Sequence, residues 1–144
     1  MLETSALYEY AKAANAEVLR SKMPKSKSMI IEAGGGYVIG MDEQIRDSSP
    51  AGRVHLGHEV GHASTGSLYN IHATADVIGR HENDANKWAI EHLVPEEELM
   101  EQIRQQRGQV WELADHFAVT EDLIKKALCW YLHGTLDTRL YYSN

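Results

Sequence analysis

The sequence predicts a mostly helical α+β domain, and three features predict it. Apolar residues recur at helical spacing in several stretches, a triple glycine separates two short β-branched runs, and hydroxyl, proline and glycine signals punctuate segments of helical length. With 144 residues, 43% of them apolar, the chain is long enough for one domain with its own core, expected to cover residues 1–144.

Taken in order, residues 2–20 read as a helix, because Leu2, Ala6, Leu7, Tyr10, Ala14, Val18 and Leu19 fall near one face. A polar segment, residues 22–28, ends it. Met29-Ile30-Ile31 and Tyr37-Val38-Ile39 then flank Gly34-Gly35-Gly36 as a small β-hairpin or sheet. The glycines lack the Lys-Ser/Thr of a phosphate loop and the spacing of a dinucleotide fingerprint, so they read as a turn. Ser48-Ser49-Pro50 is a helix start, and the helix is expected over residues 51–64, ending near Gly66. Residues 67–79 read as a loop. The next helix, residues 81–93, stops before Pro95, since proline disfavours helical geometry in its predecessor. Glu96-Glu97-Glu98 open another helix at the positive end of its dipole, and residues 110–117 and 121–132 read as two more.

Composition narrows the function classes. The net charge of −7 argues against nucleic-acid binding through phosphates, which requires clustered Lys and Arg. The basic stretch of residues 20–27 contains proline and serines and reads as a solvated loop. Cys129 is the single cysteine, which rules out an intramolecular disulfide and fits a reducing compartment. The first twenty residues lack the basic start and apolar run of a secretory leader, and no apolar run is long enough to cross a bilayer. The expectation is a cytoplasmic protein with no membrane partner.

Five of the eight histidines lie between His55 and His81. Among them, His58-Glu59-Val60-Gly61-His62 forms HExxH on an expected helix. Four residues is close to one turn, so both imidazoles leave one face and can hold one zinc at roughly 2.0–2.1 Å. Glu59 lies about 100° round the helix. There it suits the general base better than a ligand, taking a proton from a water whose pKa zinc lowers towards about 7. Gly61 and Ala63 are small enough to admit a close neighbour.

A two-histidine site needs a third protein ligand and an open position. In the following helix Glu82, Ala85, Asn86, Ala89 and Leu93 share a face. Small Ala85 and Ala89 suit tight packing on the zinc helix, which would bring Glu82 beside the metal. Asp84 falls about 200° round from Glu82 and is expected to face solvent. Asp76, Asp84, His72 and His81 are the alternatives to Glu82. Asn86, one turn on, could orient a ligating histidine through its other ring nitrogen.

These segments together resemble the ImmA/IrrE family of zinc metallopeptidases. The match comprises HExxH, then Glu82-x-x-Ala85-Asn86-x-Trp88-Ala89, then Leu93-Val94-Pro95, and then Leu113-Ala114-Asp115-His116-Phe117-Ala118-Val119-Thr120, over about residues 28–128. Trp88 stands where the family usually has phenylalanine, and Val94 where it has methionine. The resemblance implies a compact zincin-like fold, with His58, His62 and Glu82 as zinc ligands and Glu59 as catalytic base. Residues 28–95 would form the catalytic core and residues 96–133 a helical C-terminal part. It also implies an endopeptidase acting on a cytoplasmic regulatory protein, such as a repressor of a phage or mobile element. Many members carry a further DNA-binding or sensor domain, for which this sequence leaves no room.

Other residues are open to two readings. Tyr69 and His72, in the loop after the zinc helix, could stabilise the oxyanion of a tetrahedral intermediate. His55 reads as a surface histidine and His81 as a neighbour of the ligands. The strand around Tyr37–Ile39 could offer an edge to an extended substrate. Residues 110–128 have the length of a helix-turn-helix, but Glu121 and Asp122 beside Lys125 and Lys126 favour packing or partner docking over DNA contact. Trp111, Trp130 and Tyr131 are expected in the core. An alternative to the enzyme is a non-catalytic, zinc-stabilised protein-interaction module. Glu59 distinguishes the two, because a purely structural zinc has no need of a base.

Overall fold

A computed structural model of the chain describes residues 1–23, 25–70 and 72–142. Among them, α1 (Thr4–Ala13) leads into strand β1 (Ala16–Ser21), followed by β2 (Ser28–Ala33) and β3 (Gly36–Asp42). Helices α2 (Pro50–Thr65), α3 (Ala75–Leu93), α4 (Glu96–Arg104), α5 (Val110–Phe117) and α6 (Glu121–His133) come next, and a short 3-10 turn at Thr138–Leu140 follows. The class is α+β, six helices with one three-stranded sheet among the described residues.

The expected helix over residues 2–20 is therefore half helix and half strand. Asn15 ends α1 by taking a left-handed conformation, φ 58°. Its carbonyl accepts from the Tyr37 backbone N–H at 2.9 Å, which starts the parallel pairing of β1 with β3. Gly36 makes that approach possible, since a Cβ there would lie 2.4 Å from the Asn15 carbonyl oxygen. Ala16 and Val18 turn inward and Glu17 and Leu19 outward, so residues that also fit a helical face follow the two-residue period of a strand.

The hairpin of β2 and β3 turns at Gly34 and Gly35, both with positive φ. The strand order is β1-β3-β2, so β3 is central and has no free edge. This corrects the expectation of an edge around Tyr37–Ile39; β1 and β2 are the edge strands instead, and β2 is the one beside α2 and the cleft. The basic segment also begins later than expected, because Arg20 and Ser21 belong to β1, and Ser28 opens β2. The loop readings of Pro24 and Ile71 fall outside the described residues.

Helix α2 starts as its capping signal requires. The Ser49 hydroxyl accepts from Gly52 N at 3.0 Å with Pro50 in the first turn, and Gly66 closes the helix at φ 64°. Helix α3 begins six residues before the expected start, at Ala75, because Thr74 caps it by accepting from Val77 N and Asp76 complements the dipole. Gly79 lies inside this helix and does not break it.

Glycine governs how closely α2 meets α3. A Cβ on Gly61 would lie 2.7 Å from the Ala85 carbonyl oxygen, and one on Gly57 would lie 2.9 Å from Leu93 Cδ1. The two helices touch almost backbone to backbone there. Leu56, Val60, Ile90 and Leu93 join Ile39 and Met41 of β3 and Phe117, Leu123 and Ile124 of the last helices in one fully buried cluster. Buried Arg53 of α2 donates to the Ala118 carbonyl at 2.9 Å, the Phe117 carbonyl at 3.2 Å and Thr4 Oγ1 at 3.0 Å. This satisfies the carbonyls at the end of α5 and ties the α5–α6 turn to α2. Trp111 is 56% exposed, which corrects its expected place in the core: it lies in the first turn of α5 and donates to Gln109 Oε1. Trp130 and Tyr131 are half-buried against the core, and the Tyr131 hydroxyl donates to the Val94 carbonyl at 2.8 Å.

Candidate metal centre

The close α2–α3 contact sets the geometry of the site. His58 and His62, one turn apart on α2, project towards Glu82 on the facing turn of α3. His58 Nε2 lies 2.9 Å from Glu82 Oε2, and His62 Nε2 lies 3.1 Å from Glu82 Oε1. The three donor atoms are all within 4.8 Å of one another. In a tetrahedral zinc site with arms of roughly 2.0–2.1 Å, neighbouring donors lie about 3.3–3.4 Å apart. The two histidine–glutamate separations fall within about 0.5 Å of that edge.

The far sides of both rings are occupied. His62 Nδ1 lies 3.1 Å from the Ser67 carbonyl oxygen, and His58 Nδ1 lies 2.9 Å from Asn86 Oδ1. A carbonyl only accepts, so each Nδ1 is the donor, and in the neutral form of each ring the Nε2 lone pair faces Glu82. Two lone pairs against a carboxylate repel unless positive charge lies between them, whether protons or a metal cation. Two imidazoles and a carboxylate are a donor set that suits zinc, so the residues fit the ion that the sequence implies. Burial pushes the Glu82 carboxyl upward, but with both imidazoles protonated their charges and the hydrogen bonds of Tyr69 and His62 outweigh it. Glu82 consequently stays below its ordinary range.

Glu59 lies on the same turn as His58 but outside the donor cluster, and is 6% exposed. Its Oε2 accepts from the Ser28 hydroxyl at 2.7 Å. A cleft of about 320 Å³ brings together His58, Glu59, His62 and Glu82 with Ser28, Met29 and Ile30 of edge strand β2 and with Leu68 and Tyr69. A larger cavity of about 610 Å³, between α2, α3 and the start of α6, shares His58 and Glu82 with it and is also lined by His55 and Asn86.

The remaining sequence candidates divide. Tyr69 reaches the centre, its hydroxyl donating to Glu82 Oε1 at 3.0 Å. Burial, followed by that hydrogen bond and the charges of Glu82 and Glu59, raises its pKa, so the phenol keeps its proton. His72 is exposed and lines neither cavity. Asp76 and Asp84 are also exposed, while His81 lies behind Tyr69, ring centroids 6.2 Å apart. His55 is half-buried between Ser28 and the larger cavity rather than on the open surface. Burial lowers its pKa, opposed by Glu59 and assisted by His58 and Lys27.

Ser28 and Ser67 were not singled out by the sequence. A signal for Ser67 was present: after a left-handed glycine cap the chain folds back on the last turn, and Ser67 N donates to the His62 carbonyl at 3.0 Å. Ser28 had none, because only the sheet register places it over α2.

Two histidines one turn apart, a carboxylate from a packed helix and a second carboxylate outside the cluster define a site of the metallopeptidase type. The chain belongs to the Peptidase_M78 family, described as IrrE N-terminal-like domain, whose model matches residues 11–128. That span runs from the end of α1 through most of α6 and includes the whole centre. No curated protein and no solved structure gives a significant match to the chain. No helix among the described residues is long and apolar enough to cross a membrane.

Proposed function

We propose that the chain is a zinc-dependent endopeptidase that hydrolyses a peptide bond in an extended segment of a regulatory protein. The observation that carries this reading is the convergence of His58, His62 and Glu82 within 4.8 Å, beside a buried carboxylate that is not one of the three. His58, His62 and Glu82 would hold the ion, with Ser67 and Asn86 fixing the two imidazole rings. A bound zinc supplies a Lewis acid that acidifies water and polarises a peptide carbonyl.

Glu59 then acts as general base. It takes a proton from the attacking water as the oxygen–carbon bond forms, and returns it to the amide nitrogen as the carbon–nitrogen bond breaks. The Tyr69 hydroxyl, at the rim of the cleft, would turn from Glu82 Oε1 to donate to the oxyanion. Edge strand β2 forms one wall, so an extended substrate can pair with its free backbone groups. A repressor-type regulator as target rests on the family resemblance. A zinc that served only to hold the fold would not require the desolvated carboxylate of Glu59, which disfavours the interaction-module reading.

The test is cleavage of a random peptide mixture, and of an extract of cellular proteins, by the protein with one equivalent of zinc and after chelation. Zinc-dependent internal cleavage, absent in His62→Ala, is expected. Identical peptide profiles with and without zinc in both mixtures would contradict the proposal.

A further inference from the structure

The base in this site is held by a residue outside the metal-binding helices. Ser28 is the first residue of β2, paired with Met41 of β3, and the Asp42 N–H bonds to the preceding Lys27 carbonyl at 2.9 Å. Strand alternation turns Ser28 and Ile30 towards α2 and leaves Met29 and Ile31 on the outer face, each 49% exposed. A slip of one residue would put Lys27 or Met29 over α2 instead, so the register itself delivers a small hydroxyl to Glu59.

The contact has a defined polarity. An ionised carboxylate only accepts, so Ser28 Oγ donates its proton to Glu59 Oε2 at 2.7 Å, a charge-assisted bond. The Ser28 oxygen keeps lone pairs, and His55 Nδ1 lies 3.4 Å from it, able to donate when that nitrogen carries the ring proton. Oε2 is thus occupied, while Oε1 takes no hydrogen bond from the described residues and is the oxygen left to receive a proton.

Resting on the proposed peptidase reading, we propose that Ser28, backed by His55, is a positioning residue for the reaction. It anchors one oxygen of Glu59 so that the other stays aimed into the cleft. A glutamate side chain has three rotatable bonds, and this one has to give back the proton it takes without changing place. An anchor on the neighbouring strand restricts that freedom and couples the aim of the base to the edge strand along which an extended substrate would lie. Neither Ser28 nor His55 touches the reacting atoms in this role.

The test compares zinc-loaded wild type with Ser28→Ala and Ser28→Thr. High-resolution crystal structures should show Glu59 in one rotamer in wild type and Ser28→Thr, and displaced or in several rotamers in Ser28→Ala. On the best-cleaved member of a random peptide mixture, Ser28→Ala should lose roughly 10- to 100-fold in kcat. KM and zinc content should be unchanged, and Ser28→Thr should restore most of the rate. An undisturbed Glu59 rotamer in Ser28→Ala, or an unchanged kcat, would overturn the proposal. If the wild type cleaves nothing, the peptidase reading fails, while the crystal structures still decide whether Ser28 holds Glu59.

Discussion

His62 Nδ1 faces the carbonyl oxygen of Ser67 at 3.1 Å, a contact that exists because Gly66 turns the chain back at φ 64°. The helix cap thereby fixes the proton on Nδ1 and leaves Nε2 for a metal. Gly66→Ala forces a Cβ into the left-handed region, which costs about 1–2 kcal/mol. The variant is expected to lose that much stability in denaturant titration and also to bind zinc more weakly in competition with a chelator. Unaltered zinc affinity would show that the cap does not orient His62.

Helix phase separates the two acidic residues of α3. Glu82 meets both imidazoles, whereas Asp84 is exposed two residues on. Elemental analysis should show zinc largely lost from Glu82→Ala and retained in Asp84→Ala. The reverse pattern would place the third ligand elsewhere.

Tyr8 of α1 donates to Asp47 just ahead of α2. Burial, then the hydrogen bond and charge of Asp47, raise its pKa from 10.0 to about 12, with Arg20 opposing. The folded state therefore holds this proton more tightly than the unfolded chain. The resulting stability is complete below about pH 10 and is lost as pH rises through about 12. The stability difference between wild type and Tyr8→Phe, followed by urea titration, should be constant below pH 10 and shrink above it. A difference that does not change with pH would refute this coupling.

Much of this architecture was legible because it is written in local helix chemistry. The i, i+4 histidines, the Ser49-Pro50 cap, and the phase of Glu82 and Asn86 all depend on residues within a few positions of one another. Their meeting then needed only the small faces of α2 and α3, visible as Gly57, Gly61, Ala85 and Ala89. Strand β1 was hidden because residues 16–21 satisfy both a helical and an alternating period, and the choice was made by β3, whose first residue Gly36 lies twenty positions on from Ala16. Ser28 was hidden for the same reason: its partner Glu59 is 31 residues away, reached only through the sheet register. Trp111 was misplaced because an aromatic side chain near the start of a short helix gives no sign of which face it occupies.

The most direct test of the peptidase account is the Glu59→Gln variant. Glutamine keeps the shape of glutamate but cannot accept the proton of the attacking water. The variant should bind one equivalent of zinc and unfold at the wild-type temperature, while zinc-dependent peptide cleavage falls by roughly 100-fold or more. Zinc-loaded Glu59→Gln that cleaves at the wild-type rate would contradict the account.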